Sequence, residues 1–383
     1  MEELSKANLF MKPVLTVLFS LLLHSLTACA AQAPIQDRLD MKIGQMVMIG
    51  FRGTSLEKSP GLMEDITRFN LGGVVLFDYD VPSGSPGRNI TSPDQLRQLT
   101  SELQQASRIP LLIAVDQEGG RIARLKTKYG FPESISAGRL GQLNNADSTF
   151  RATLSIAETL EKAGINVNFA PVVDLDSNPD NPVIGSLERS FSADPDEVTS
   201  HASAVVKALH AKKIIATLKH FPGHGSSATD THKDFTDVTE SWKKTELMPY
   251  RKLVDEGYRD LVMTAHVFNA SLDPVHPATL SKPVITGLLR DSLGFSGVVI
   301  SDDMQMKAVA DHYSLETAIP LAIEAGVDIL LFANNSTYDA GIAEKAVTII
   351  RSLVEKGTVS PARIDSSYRR IMALKQHYLN VFP

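Results

Sequence analysis

From residue 40 onward, short and almost uninterrupted apolar runs alternate with longer stretches whose apolar positions recur at helical spacing. The runs are QMVMIGF (45–51), GGVVLF (72–77), PLLIAVD (110–116), INVNFAPVVDL (165–175), KIIATLKH (213–220), DLVMTAH (260–266), GVVISDD (297–303) and VDILLF (327–332). Their β-branched, two-sided apolar character predicts parallel strands covered on both faces. The intervening stretches predict helices. SPDQLRQLTSELQQAS (92–107) and DPDEVTSHASAVVKALHAK (194–212) each open on a capping residue, with Pro195 in a first-turn position behind Asp194. SLETAIPLAIEAG (314–326) closes on Gly326, a helix stop.

Eight strand-then-helix units predict an α/β fold: a single (β/α)8 TIM-like barrel with extended βα loops, occupying residues 37–383. A doubly wound open sheet is the competing architecture, but no GxGxxG follows the first run. Several runs stop at a polar group: Asp116, Asp174, Lys219-His220, His266, Asp302 and, just past the eighth, Asn334. Active sites of such barrels form at the C-terminal strand ends, so these groups are expected to line one pocket.

The first thirty residues differ. MKPVLTVLFSLLLHSLTAC (11–29) has a leading lysine, a short apolar core and small residues before its cysteine. That core is shorter than the roughly 20 apolar residues of a membrane span and reads as an export signal. Glu2 and Glu3 are unusual in a leading region, which leaves Met11 as an alternative start to Met1. LTAC (26–29) resembles the bacterial lipoprotein box, in which the cysteine is lipidated. Cys29 is the only cysteine of the 383-residue chain, so no internal disulfide can form and the lone thiol stands where a lipid would go. The expected organisation is a signal peptide over 1–29, a tether over 30–36 and one catalytic barrel, exported and membrane-anchored in the periplasm or at the cell surface. A net charge of −6 without basic tracts gives no reason to expect nucleic acid.

The densest chemistry is KHFPGHGSSATDTH (219–232). His220 and His224 have a spacing that suits zinc on a helix, but Pro222 and Gly223 between them would break that helix. The stretch also lacks the GxxxxGK[ST] pattern of a phosphate loop. Proton transfer and substrate grip remain. Asp230 stands two residues before His232, close enough for a loop to turn carboxylate and imidazole together. A solvated loop histidine fits the local sequence as well. In VVISDDM, neighbouring strand residues face opposite sides, so one aspartate can face the barrel mouth while the other caps a helix or pairs with a cation. Asp302, which directly ends the apolar run, is the choice for the mouth. A carboxylate there, opposite a proton donor, permits the arrangement of a retaining glycosidase without compelling it.

KHFPGHGSSATDTH closely resembles the signature of the β-N-acetylglucosaminidase (β-hexosaminidase) branch of glycoside hydrolase family 3. VDQEGGRIARL (115–125), ERSFSADP (188–195) and GVVISDDMQM (297–306) agree with it in the expected order. The resemblance implies that Asp302 is the nucleophile and His232 the general acid/base, with Asp230 as its partner. It implies sugar binding by Asp116, Arg124, Arg189, Lys219 and His220, a structural role for His224, and no metal or organic cofactor. It further implies a substrate with terminal N-acetylglucosamine, of cell-wall (muropeptide) or chitin type, hydrolysed by a monomer with retained configuration. A glycoside phosphorylase of the same family and a non-catalytic sugar-binding lipoprotein are the alternatives. A β-glucosidase would lack the DTH pair.

Overall fold

The computed structural model describes residues 35–231 and 235–379. The chain divides into two compact units, Met1–Leu39 and Asp40–Pro383. Of the first, only the opening of the helix Ile35–Gln45 is described; Cys29 and the whole export segment lie outside the described residues. No helix among the described residues is long and apolar enough to cross a membrane.

The second unit is built on eight central parallel strands: β1 (Val47–Gly50), β2 (Gly73–Leu76), β3 (Leu112–Val115), β4 (Val167–Asn168), β5 (Thr217–Phe221), β6 (Leu261–Thr264), β7 (Val298–Ile300) and β8 (Leu330–Phe332). They form a five-stranded sheet of order β8-β1-β2-β3-β4 and a three-stranded sheet of order β7-β6-β5. Single parallel bridges, Val167 with Ile215 and Ile300 with Ile329, connect the edges of the two sheets. The result is a TIM-barrel-like α/β fold whose strand residues are buried throughout, as two-sided apolar runs require.

Local signals in the sequence set the helix ends. Ser92 accepts the Gln95 N–H and opens Pro93–Ala106. Asp194 accepts the N–H groups of Asp196 and Glu197 at 2.7 and 3.1 Å and opens Pro195–His210. Gly326, with φ of 122°, ends Leu315–Ala325, where a side chain would be strained. The long fourth run yields only the two-residue strand β4. Beyond it Pro171 has no N–H to give a neighbour, and the chain touches β5 again through one bridge, Val172 with Lys219.

One irregularity matters for the site. The β5–β6 register passes from Val262 opposite Leu218 to Thr264 opposite Phe221, so Lys219 and His220 together face the single residue Met263. This is a β-bulge, and it lets two consecutive side chains turn toward the same side.

Candidate active site

At the C-terminal strand ends lies a pocket of about 260 Å³, whose lining includes Asp116, Arg124, Arg189, Lys219, His220, Asp230 and Asp302. A larger cleft of about 580 Å³, lined by His210, Asp260 and Tyr378 among others, opens beside the N-terminal ends of β6 and β7 and contains none of these groups.

One wall is a buried ion network. Asp116 ends β3, and the following segment folds into an antiparallel ribbon, Gln117–Gly119 against Ile122–Ala123. The Gln117 side-chain oxygen accepts the N–H groups of Arg124 and Leu125, both at 2.9 Å, and so returns Arg124 to within 3.5 Å of Asp116. The bulge delivers Lys219, whose ammonium bridges Asp116 at 2.8 Å and Glu118 at 2.6 Å. Glu118 in turn receives a forked pair of bonds from Arg189, at 2.9 and 2.8 Å. Burial raises the pKa of both acids, but the cations outweigh it. Lys219 and Arg124 hold Asp116 below its ordinary value, and Arg189 with Lys219 pull Glu118 down to about 2.

Behind this wall stands Asp174, fully buried. It accepts Nδ1 of His220 at 2.7 Å and the His224 N–H at 2.8 Å. Arg189 has only donors, so His220 Nε2, 3.3 Å away, faces it as an acceptor and the ring proton sits on Nδ1 toward Asp174. His224 bonds Ser227 through Nδ1 at 2.7 Å and Thr231 through Nε2 at 3.3 Å. Burial drives its pKa down to about 4, so it stays neutral near pH 7. The turn between these histidines needs its glycines. A Cβ on Gly223 would lie 2.4 Å from a Glu246 oxygen, and one on Gly225 would lie 1.8 Å from the Leu175 carbonyl oxygen.

The opposite wall holds the two aspartates after β7. Asp302 is half-buried, and its carboxylate accepts the Asp303 N–H at 2.8 Å. Asp303 accepts the N–H groups of Gln305 and Ala333, tying the ends of β7 and β8 together. Asp302 and Asp303 both line the pocket. Asp230 is half-buried on the third side, and Thr231 beside it is buried, its carbonyl accepting the Ala308 N–H at 3.3 Å. His232 lies outside the described residues.

Not every strand-end polar group reaches the pocket, contrary to expectation. Asp174 sits one layer behind it. His266 is buried between Thr279 and the Asp303 carbonyl, and Asn334 is engaged with Gly50, Gln305 and Asp339. Their polar atoms close loops onto the strands. Glu118 was not among the expected site residues, although its alternation with Asp116 puts both on one side of the chain. Among the described residues, Arg124 Nε is buried with no hydrogen-bond partner, so this guanidinium keeps a donor available beside Asp116.

Comparison with known proteins agrees with this architecture. The model of the glycosyl hydrolase family 3 N-terminal domain matches residues 38–374. A β-hexosaminidase A of Pseudoalteromonas piscicida is 33% identical over 91% of this chain, and a β-hexosaminidase of Tolumonas auensis is 36% identical over 76% of it. A solved family 3 β-N-acetylglucosaminidase from a Paenibacillus species superposes on 90% of the chain with a TM-score of 0.82 and 36% identity. This chain spans 62% of the Pseudoalteromonas protein, 83% of the Tolumonas protein and 64% of the Paenibacillus chain. On the family match and these identities, the chain belongs to glycosyl hydrolase family 3.

Proposed function

We propose that this chain is a retaining exo-β-N-acetylglucosaminidase, built as one closed (β/α)8 barrel over residues 37–383. The observation that carries the reading is the meeting of Asp302 and Asp230 in one small pocket, faced by the Asp116–Arg124–Lys219 wall. A volume of about 260 Å³ suits a single sugar residue, as removal of a terminal unit requires. The β-hexosaminidase names of the relatives support an N-acetylglucosamine-containing substrate. The single bridges between the sheet edges support closure of the barrel.

In this reading the Asp116 carboxylate and the Arg124 guanidinium hydrogen-bond sugar hydroxyls, while Lys219, Arg189 and His220 hold them at fixed separation. Asp302 attacks the anomeric carbon through an oxocarbenium-like transition state. His232, oriented by Asp230, protonates the departing oxygen, then takes a proton from the water that releases the sugar with retained configuration. Cys29, after cleavage of residues 1–28 and lipidation, anchors a monomeric enzyme to the membrane at which oligosaccharides of cell-wall or chitin type are cut.

Turnover of nitrophenyl β-N-acetylglucosaminide against the β-glucoside, with and without phosphate, tests the activity. Preference for the N-acetyl sugar, indifferent to phosphate and lost in Asp302→Asn, is expected. A sugar 1-phosphate product would make the protein a phosphorylase, and sugar binding without turnover would make it a binding protein. The intact mass of the membrane-extracted protein tests the anchor, and an unmodified Cys29 would refute it.

A further inference from the structure

Arg124 is held in the pocket differently from the other cations of the ion network. Lys219 and Arg189 spend donors on carboxylates at distances between 2.6 and 2.9 Å. Among the described residues the Arg124 guanidinium makes no hydrogen bond: its Nε has no partner, and its ion pair with Asp116 spans 3.5 Å. It lies instead over the ring of Phe77, whose centroid is 5.6 Å from Cζ. Phe77 directly follows β2, is buried and lines the pocket. The backbone pins it, because its N–H donates to the Asn89 side-chain oxygen and its carbonyl accepts the Asn89 N–H, both at 2.9 Å. Arg88 also meets this ring, with Cζ at 5.2 Å. Its fully buried side chain spends donors on the Phe51 and Asn334 carbonyls and the Asn335 side chain, so it backs the ring and has little left to give a substrate.

We propose that Phe77 is a positioning residue for substrate binding: its ring holds the Arg124 guanidinium at the pocket and leaves the N–H groups free for sugar hydroxyls. This rests on the glycosidase reading above, in which Arg124 binds the sugar. The face of an aromatic ring attracts a cation through its quadrupole, yet takes none of the in-plane N–H donors that a carboxylate would take. The bond from the Arg124 N–H to Gln117 fixes where the side chain starts, not where it ends. Without the ring, the guanidinium would close the short gap to Asp116, and a forked pair would occupy both groups. A sugar would have to part that pair before binding. The cost would fall equally on ground and transition states, and so would appear in KM rather than in kcat.

The test is a double-mutant cycle of Phe77→Leu and Arg124→Gln, read with nitrophenyl β-N-acetylglucosaminide. Phe77→Leu keeps an apolar side chain but no ring. It should raise KM roughly fivefold, and the inhibition constant of free N-acetylglucosamine alike, with kcat within about twofold. Phe77→Tyr, which keeps the ring, should stay within about twofold of the unaltered KM. Added to Arg124→Gln, Phe77→Leu should change KM by less than about twofold, because the cation that the ring holds is already gone. A residue that only packs the pocket wall would cost the same factor in both backgrounds. That result, a loss confined to kcat, or an unchanged KM in Phe77→Leu would overturn the proposal while leaving the hydrolase intact. Phe77→Met enters the same cycle if Phe77→Leu does not fold. Failure of the unaltered protein to turn over the glycoside would instead overturn the glycosidase reading.

Discussion

Glu118→Gln is the sharpest perturbation of the site's supporting network. The carboxylate is buried between Lys219 and Arg189 and receives three charged hydrogen bonds from them. Its folded pKa is about 2 against an ordinary 4.5. At about 1.4 kcal/mol for each pH unit, this difference corresponds to roughly 3 kcal/mol of stability. The range of about 3–5 kcal/mol for breaking a buried ion pair agrees with it. Because the folded pKa is depressed, the contribution is complete above pH 4.5 and disappears as pH falls toward 2. Glutamine keeps the shape and loses the charge. Urea unfolding at pH 7 should therefore show the variant about 3 kcal/mol less stable, with the gap narrowing to roughly half at pH 3. Lys219 keeps Asp116, whereas Arg189 keeps only the Val183 carbonyl and His220, so Arg189 should swing and lower kcat/KM as well. A gap below about 1 kcal/mol at pH 7, or an equal gap at both pH values, would refute the argument.

Two other predictions concern the loop that bears Asp230 and Thr231. Burial raises the Glu246 carboxyl to about 7, so between pH 4.5 and 7 the unfolded chain releases a proton that the folded chain keeps. The protein should lose stability across that window, by up to about 3 kcal/mol. Glu246→Gln should gain relative to it by the same amount, and parallel pH curves in urea would contradict this. Thr231→Val removes the hydroxyl that meets His224 Nε2. Loss of one hydrogen bond predicts a kcat roughly fivefold lower with KM unchanged, and a change in KM alone would show that His224 does not position this loop.

Elements whose signals are local could be read in advance. Ser92, Asp194 and Gly326 mark helix ends by their own side-chain or backbone chemistry, and the apolar runs mark the strands by what they bury. The fourth run shows the limit: apolar content carries no information about ladder pairing, and only Val167–Asn168 became strand. At the site, Lys219 and Asp116 are 103 residues apart, and no periodicity announces such a pair. The bulge that turns both Lys219 and His220 to one side is a property of the partner register, invisible in either strand alone. Asp174, His266 and Asn334 resemble Asp116 and Asp302 in sequence position, but backbone groups of neighbouring loops consume their polar atoms.

The central claim is that Asp302 forms the covalent intermediate. Incubation with 5-fluoro-N-acetylglucosaminyl fluoride, which forms the glycosyl-enzyme faster than it is hydrolysed, followed by peptide mass mapping, reads that bond directly. The account predicts one added sugar mass on the peptide containing Asp302 and none in Asp302→Asn. An adduct on another carboxylate, or turnover of the fluoride with no adduct formed, would contradict it.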